Sequence, residues 1–240
     1  MLTWPILRVV LPFKPIIDGV ELHEQPMTTL LRGGAASAVP LIIGSNHDEV
    51  WALLDSLPKW VMGFEVEAAL TLLFGLKAGH AAWEHYKRLY PGDTTSALVK
   101  ILTDYLFTCS SQAVAAANPA PSYVYQNNHV PSFGKTIFPR FGLPQCVGRA
   151  CHMSEVPLVF GISQQAAQLN VSFTAAEQAM SHRYMEAFTA LAHSSDVGWA
   201  RFNASDRRGL VFGNASVKEA SLGDAGAVCS SIWDGAGYLH

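Results

Sequence analysis

Charge is what this sequence has least of. Of its 240 residues, 16 are Lys or Arg and 19 are Asp or Glu, 15% in all, against about a quarter in ordinary soluble domains. The net charge of −3 comes with no basic stripe, which argues against a surface that neutralises nucleic-acid phosphates. Long apolar runs are missing too. The longest, Ala68 to Leu76, is interrupted by Thr71 and Gly75 and falls far short of the roughly 20 residues of a membrane-spanning helix. There is no repeat, low-complexity tract or obvious linker. Nor is there the low hydrophobicity of a disordered chain: half the residues are apolar and the mean hydropathy is +0.19. The remaining class is a core-rich globular chain, one large domain or two small ones. Its apolar content is high for a complete soluble protein of this size and fits a chain cut from something larger.

A secretory leader is also not legible. Met1 to Pro12 has no basic start and is broken by Pro5, Arg8 and Pro12. Other features nevertheless point outside the cell. Sequons occur at Asn170, Asn203 and Asn214. Cys109, Cys146, Cys151 and Cys229 are an even set that allows two disulfides in three connectivities, or four buried thiols. Their spacing is no zinc-finger signature.

Two short runs read as buried strands of a parallel sheet: Val39 to Gly44, apolar and β-branched, and Ser122 to Gln126, introduced by Asn118-Pro119-Ala120-Pro121. Between them the apolar spacing is helical over Trp51 to Leu57, Glu65 to Phe74, Ala78 to Leu89 and Thr95 to Ala117, with breaks at Pro58, Gly63, Gly75 and Pro91-Gly92. Pro131 to Gly148 reads as a Pro- and Gly-rich loop. Phe173 to Ala192 reads as a helix capped by Thr174 with Glu177 completing a capping box. Gly209 to Gly213 is a short late strand. Strands alternating with helical excursions predict an α/β fold around a mostly parallel sheet.

In such sheets chemistry gathers past the carboxyl ends of the strands. Asp48 and Glu49 follow the first strand across a Gly44-Ser45-Asn46 turn, and from residue type alone they are equivalent candidates. His152 follows the second strand's long loop, next to Cys151 and five residues before the end of Glu155-Val156-Pro157. A loop His pinned by a cysteine pair is preorganised as a general base should be. Carboxylate followed by His, each on a post-strand loop, is the second half of a Ser…Asp/Glu…His order.

At these residues the sequence resembles a known family. Phe13-Lys14-Pro15-Ile16-Ile17-Asp18-Gly19, Val39 through Glu49, Leu102 through Cys109, Cys151 through Gly161 and Cys229 through Asp234 are similar, in order, to the motifs of the type-B carboxylesterases, the cholinesterase-like family. The likeness runs from about residue 8 to the end and covers the C-terminal half of that family's pattern. It implies the C-terminal part of an α/β-hydrolase fold with helices on both faces of the sheet. The chain then divides into 1–50, first strand and triad-acid turn; 51–121, a helical excursion; 122–161, second strand and catalytic His loop; and 162–240, closing helices and tail, all within one partial domain over 1–240.

The resemblance also implies roles. Glu49 matches the triad acid and His152 the triad base; Glu155 matches a carboxylate near the His loop in a supporting role, and Asp48 is then structural, bonding turn amides. Cys109 and Cys229 match a disulfide of the cholinesterase branch, leaving Cys146 and Cys151 as a local bridge beside His152. Phe133, Phe138 and Phe141 are candidates for an acyl pocket, or for ordinary core. Val50 and Met153 depart from the family, which has Gly after the Asp-Glu pair and after the His. The implied activity is serine-type hydrolysis of a small-molecule carboxylic ester, with no metal and no organic cofactor. The implied setting is extracellular.

One part of that chemistry is not in these residues. No Gly-x-Ser-x-Gly elbow occurs; Gly161-Ile162-Ser163 and Gly213-Asn214-Ala215-Ser216 do not fit, and Gly33-Gly34 is no oxyanion loop. The expectation is a chain with an acid and a base whose nucleophile belongs to a missing N-terminal half of the same domain, and which alone is inactive. The alternatives are a non-catalytic, cholinesterase-like adhesion or binding protein and a truncated inactive paralogue.

Overall fold

A computed structural model describes residues 16–33, 39–57, 66–214, 216–222 and 227–238. The motif residues before Ile16, the breaks at Pro58 and Gly63, the helix start at Glu65 and Gly34 lie outside the described residues.

The first described helix, α1, is short and carries proline in its first turn (Pro26–Leu31). Strand β1 (Leu41–Asn46) then runs directly into a 3-10 segment, Glu49–Ser56. The helical spacing seen from Trp51 therefore closes as a tighter turn that begins at the acidic pair itself. Helix α2 (Val66–Leu89) is two arms, not one rod. Gly75 at φ 81°, ψ 161° breaks it, a conformation open to glycine because no Cβ opposes it. Helix α3 (Thr94–Thr103) is capped by Asp93, whose carboxylate accepts from the Ser96 amide at 2.9 Å. A π segment, Asp104–Thr108, joins α3 to α4 (Cys109–Ala117) without a break in the helical run.

Strand β2 (Ser122–Asn127) is buried along its whole length. The stretch after it, read as plain loop, holds helix α5 (Gly134–Arg140) and a 3-10 turn, Pro144–Cys146. Pro139 is the last residue but one of α5, and a reading that treats Pro as a breaker hides this short helix. Helices α6 (Val156–Val159), α7 (Ser163–Ala167) and α8 (Ala175–Ser194) follow. Strands β3 (Arg208–Phe212) and β4 (Val217–Ser221) close the sheet, with a π turn Cys229–Trp233 and α9 (Asp234–Ala236) beyond.

The sheet order is β1-β2-β3-β4, with β1, β2 and β3 parallel and β4 antiparallel to β3. β4 has no apolar run, being mostly exposed, so it carries no sequence signal of its own. Strand periodicity divides the core. Ile42, Tyr123, Tyr125, Leu210 and Phe212 point to the face covered by α8, where Tyr184 stacks on Phe212. Val124, Ile43 and Val211 point to the face carrying Ala115 of α4. Helices thus cover both faces of a mixed, mainly parallel sheet. Gly44 permits the close β1–β2 approach: a Cβ there would lie 2.4 Å from the Tyr125 ring. A third cluster of α2, α3, Cys229 and Trp233 forms beside the sheet. Cys109 is bonded to Cys229 across 120 residues, a closure on the order of 4–5 kcal/mol by the chain-entropy argument. No helix among the described residues is long and apolar enough to cross a membrane.

Helix α8 starts at the capping box anticipated from Thr174 and Glu177, but Glu177 does more than cap. Fully buried, it accepts from the Thr174 amide, from the amide and hydroxyl of Ser132 (2.7 Å each), and meets His129 Nε2 at 3.1 Å. Burial alone would raise its pKa; these donors outweigh burial and bring it down to about 2. A depressed carboxylate contributes stability above its unfolded pKa and loses it as pH falls through the folded value. Glu177→Gln is expected to cost on the order of 3 kcal/mol at neutral pH. In thermal melts the gap to wild type should narrow as pH drops from about 4.5 toward 2.

Candidate active site

Glu49 and His152 are brought together by backbone pairing. Beyond β1 the chain makes one more parallel bridge, Asp48 to Cys151. The Asp48 amide donates to the Ala150 carbonyl at 2.9 Å, and the Asp48 carboxylate accepts from the Ala150 amide at 3.1 Å. Asp48 is therefore a clamp between the two loops. Burial pushes its carboxyl up, but His47 at 3.0 Å and the Ala150 amide outweigh that and hold it below the usual range. One residue past the bridge on each strand stand Glu49 and His152, so register alone makes them neighbours.

Glu49 Oε2 lies 2.6 Å from His152 Nδ1. Its other oxygen accepts from the Asn46 amide at 2.6 Å and the Asn46 side chain at 3.3 Å. The Glu49 side chain is 5% exposed and that of His152 is 40%, a buried acid behind an accessible base. With Nδ1 on the carboxylate, Nε2 is the nitrogen left for an incoming proton. The hydrogen bond to Glu49 raises the His152 pKa above its ordinary 6.5, against the opposing pull of burial.

The sequence pattern places Asn46 in a turn after the first strand; in the structure it is the last residue of β1. It is the hub of the site. Its side-chain Nδ2 donates to Glu155 at 2.5 Å as well as to Glu49, and its Oδ1 accepts from Asn127 at 2.6 Å and Ser154 at 3.2 Å. A small polar residue closing an apolar strand is the signal the sequence offers. Glu155 sits behind the pair, its carboxyl raised first by burial, with the Tyr125 hydroxyl at 3.4 Å. Phe107, on the π segment, packs its ring 5.5 Å from the His152 ring; insertions that widen a helix recur at functional sites.

The His loop is stapled in place. Cys146 is bonded to Cys151, both fully buried with Phe138. Arg149 lies 3.7 Å over the Trp51 ring, tying the loop to the turn that carries Glu49. Of the three phenylalanines considered for a pocket, Phe133 stacks on Phe173 and Phe138 packs on the disulfide, while Phe141 is exposed; the first two are core. Val50 is 1% exposed and fills the core. Met153 adopts φ 64°, the left-handed region that glycine occupies freely. Asn170 and Asn203 are exposed; Asn214 is exposed too and accepts from the Val130 amide at 2.7 Å.

A family model described as "Carboxylesterase family" matches residues 6–205. Among similar proteins, the "Crystal protein" of Dictyostelium discoideum is 33% identical over 174 residues, 69% of this chain and 30% of that protein. The "Para-nitrobenzyl esterase" of Bacillus subtilis is 26% identical over 207 residues, 83% of this chain and 39% of that protein. The solved structure of a "thermophylic PNB esterase" superposes with TM-score 0.63 at 23% identity, covering 89% of this chain and 42% of that one; it is a likeness of fold. The chain spans about a third of the length of these curated relatives.

Two outcomes test the geometry. In an NMR titration, the His152 imidazole should titrate above 6.5, and Glu49→Gln should lower its midpoint. Since the folded pKa is the raised one, the pair's contribution to stability is full below pH 6.5 and is lost as pH rises through that folded value. Met153→Gly should relieve the left-handed backbone and raise stability by on the order of 1 kcal/mol in denaturant unfolding, leaving the His152 titration in place.

Proposed function

The chain belongs to the carboxylesterase family, and from that premise we propose that it supplies the acid and base of a serine-type carboxylic ester hydrolase. The observation that carries the reading is the 2.6 Å contact between a buried Glu49 and an accessible His152, one residue past a shared backbone bridge. In this role His152 Nε2 takes the proton of a serine hydroxyl as it attacks the ester carbonyl, and Glu49 holds the ring and stabilises the imidazolium. The alcohol leaves with that proton, and water, deprotonated by the same nitrogen, releases the acid from the acyl-enzyme.

The serine and the oxyanion donors are then supplied by sequence outside these 240 residues, which contain no Gly-x-Ser-x-Gly. Two features support that division. The chain spans a third of its relatives' length. Among the described strands β1 pairs with β2 alone, so the strand leading to Glu49 is an outer strand with one side open to a further partner. The disulfides and the three sequons support an extracellular setting, with glycans on Asn170, Asn203 and Asn214.

The reading is tested on a form extended to include a Gly-x-Ser-x-Gly segment. It should hydrolyse p-nitrophenyl acetate, and His152→Ala should lower kcat by about 10⁴ or more. The 240 residues alone should show no His152-dependent turnover. An extended form that folds, binds a protein partner and hydrolyses no ester would replace the esterase with a binding protein.

A further inference from the structure

Away from Glu49 and His152, the two arms of α2 bring together a second group of ligating side chains. Gly75 turns the chain back, and the second arm crosses the first so closely that a Cβ on Gly79 would lie 2.6 Å from the backbone of Leu70 and Thr71. That crossing sets His80 against Glu67, with Nδ1 2.6 Å from Oε1. Glu84 lies one helical turn beyond His80 and so shares its face. One ligating atom from each of Glu67, His80 and Glu84 falls within 4.8 Å of the other two.

We propose that Glu67, His80 and Glu84 form a binding site for a single divalent transition-metal ion of the zinc class, which clasps the two arms of α2. Two carboxylates balance a 2+ charge. One imidazole with two carboxylates favours a borderline ion over the hard calcium and magnesium ions, which take all-oxygen sets. Bonds of about 2.0–2.2 Å to nitrogen and oxygen need donors a little over 3 Å apart, so the His80–Glu67 contact opens slightly and Glu84 closes in. The side chains of His80 and Glu67 are 59% and 44% exposed, which gives an ion direct entry and leaves room for water as a further ligand. Lys87 now pairs with Glu84 and swings into solvent when the ion takes that carboxylate. Glu67 and His80 are 13 residues apart and meet only when the arms are folded, so binding stabilises the native chain by mass action. The site is independent of the esterase reading; the ion has no part in ester chemistry.

The test uses the tag-free 240-residue chain, stripped with a chelator and titrated with zinc chloride by calorimetry, with thermal melts alongside. One ion should bind per chain, and Tm should rise with excess zinc. His80→Ala and Glu84→Gln should each weaken zinc at least about tenfold, since even groups behind metal ligands cost that much. Glu84→Gln, conservative on an exposed turn, covers the case in which His80→Ala unfolds the hairpin, and His193→Ala, on the exposed end of α8, should leave binding unchanged. A cobalt-substituted sample should show a visible absorption band that Glu84→Gln shifts. Absence of zinc binding, zinc binding untouched by both variants, or equal affinity for magnesium and calcium would each overturn the site.

Discussion

The candidate site depends on one backbone pairing. Between Asp48 and Cys151 two loops that follow different strands continue the parallel ladder by a single step. Every other feature of the Glu49–His152 pair follows from it. The side-chain alternation of paired strands puts the next residue of each on a common side, and the Asp48 carboxylate repeats the bond by accepting the Ala150 amide. The Asp48 carboxylate is taken up by the Ala150 amide and by the neighbouring His47, whereas Glu49 is the one that meets His152. This is the physical difference between Asp48 and Glu49, two adjacent acids that residue type alone leaves equivalent.

A one-step ladder between loops would fray without reinforcement, and the surrounding residues supply it. The Cys146–Cys151 bond shortens the free run of the His loop to a few residues, and Arg149 over Trp51 anchors the same loop to the turn after Glu49. From below, Asn46 ties the end of β1 to Glu155, Ser154 and the end of β2 through Asn127. The result is a buried polar network in which the groups named here are mutually satisfied. That is the condition under which burying two carboxylates is tolerable. It also separates their environments. Glu49 shares its charge with a histidine and an amide, whereas burial raises Glu155 and favours its neutral form.

How much of this the sequence disclosed varies with the range of the interaction. Strands β1 and β2, the capping box at Thr174 and Glu177, and the break at Gly75 are local signals, and they stand in the structure within a residue or two of where the pattern places them. The α/β class follows from their alternation. Helix α5 was hidden by Pro139, and β4 by its exposure. The hub role of Asn46 and the contact of Phe107 with His152 depend on residues 109 and 45 positions away meeting in space, and no periodicity carries that. The left-handed Met153 is an intermediate case. Its backbone angle is a fact of the fold, but its position, one past the histidine where the family keeps glycine, marked it in advance.

The layout of the sheet bears on why the chain reads as core-rich. A parallel sheet is buried on both faces and along its interior edges. Here the α8 face and the α4 face are both covered, and β4 closes one side with an exposed, charged strand, the usual way a sheet ends. The opposite side ends on β1, a strand built of Leu41, Ile42, Ile43 and Gly44, with neither charge nor proline to discourage pairing. Among the described strands, the sheet ends on an exposed, charged strand at one margin and on apolar β1 at the other, and β1 is the strand that leads to Glu49. Glu49 therefore follows the strand whose outer side, among the described strands, is left open to a further partner.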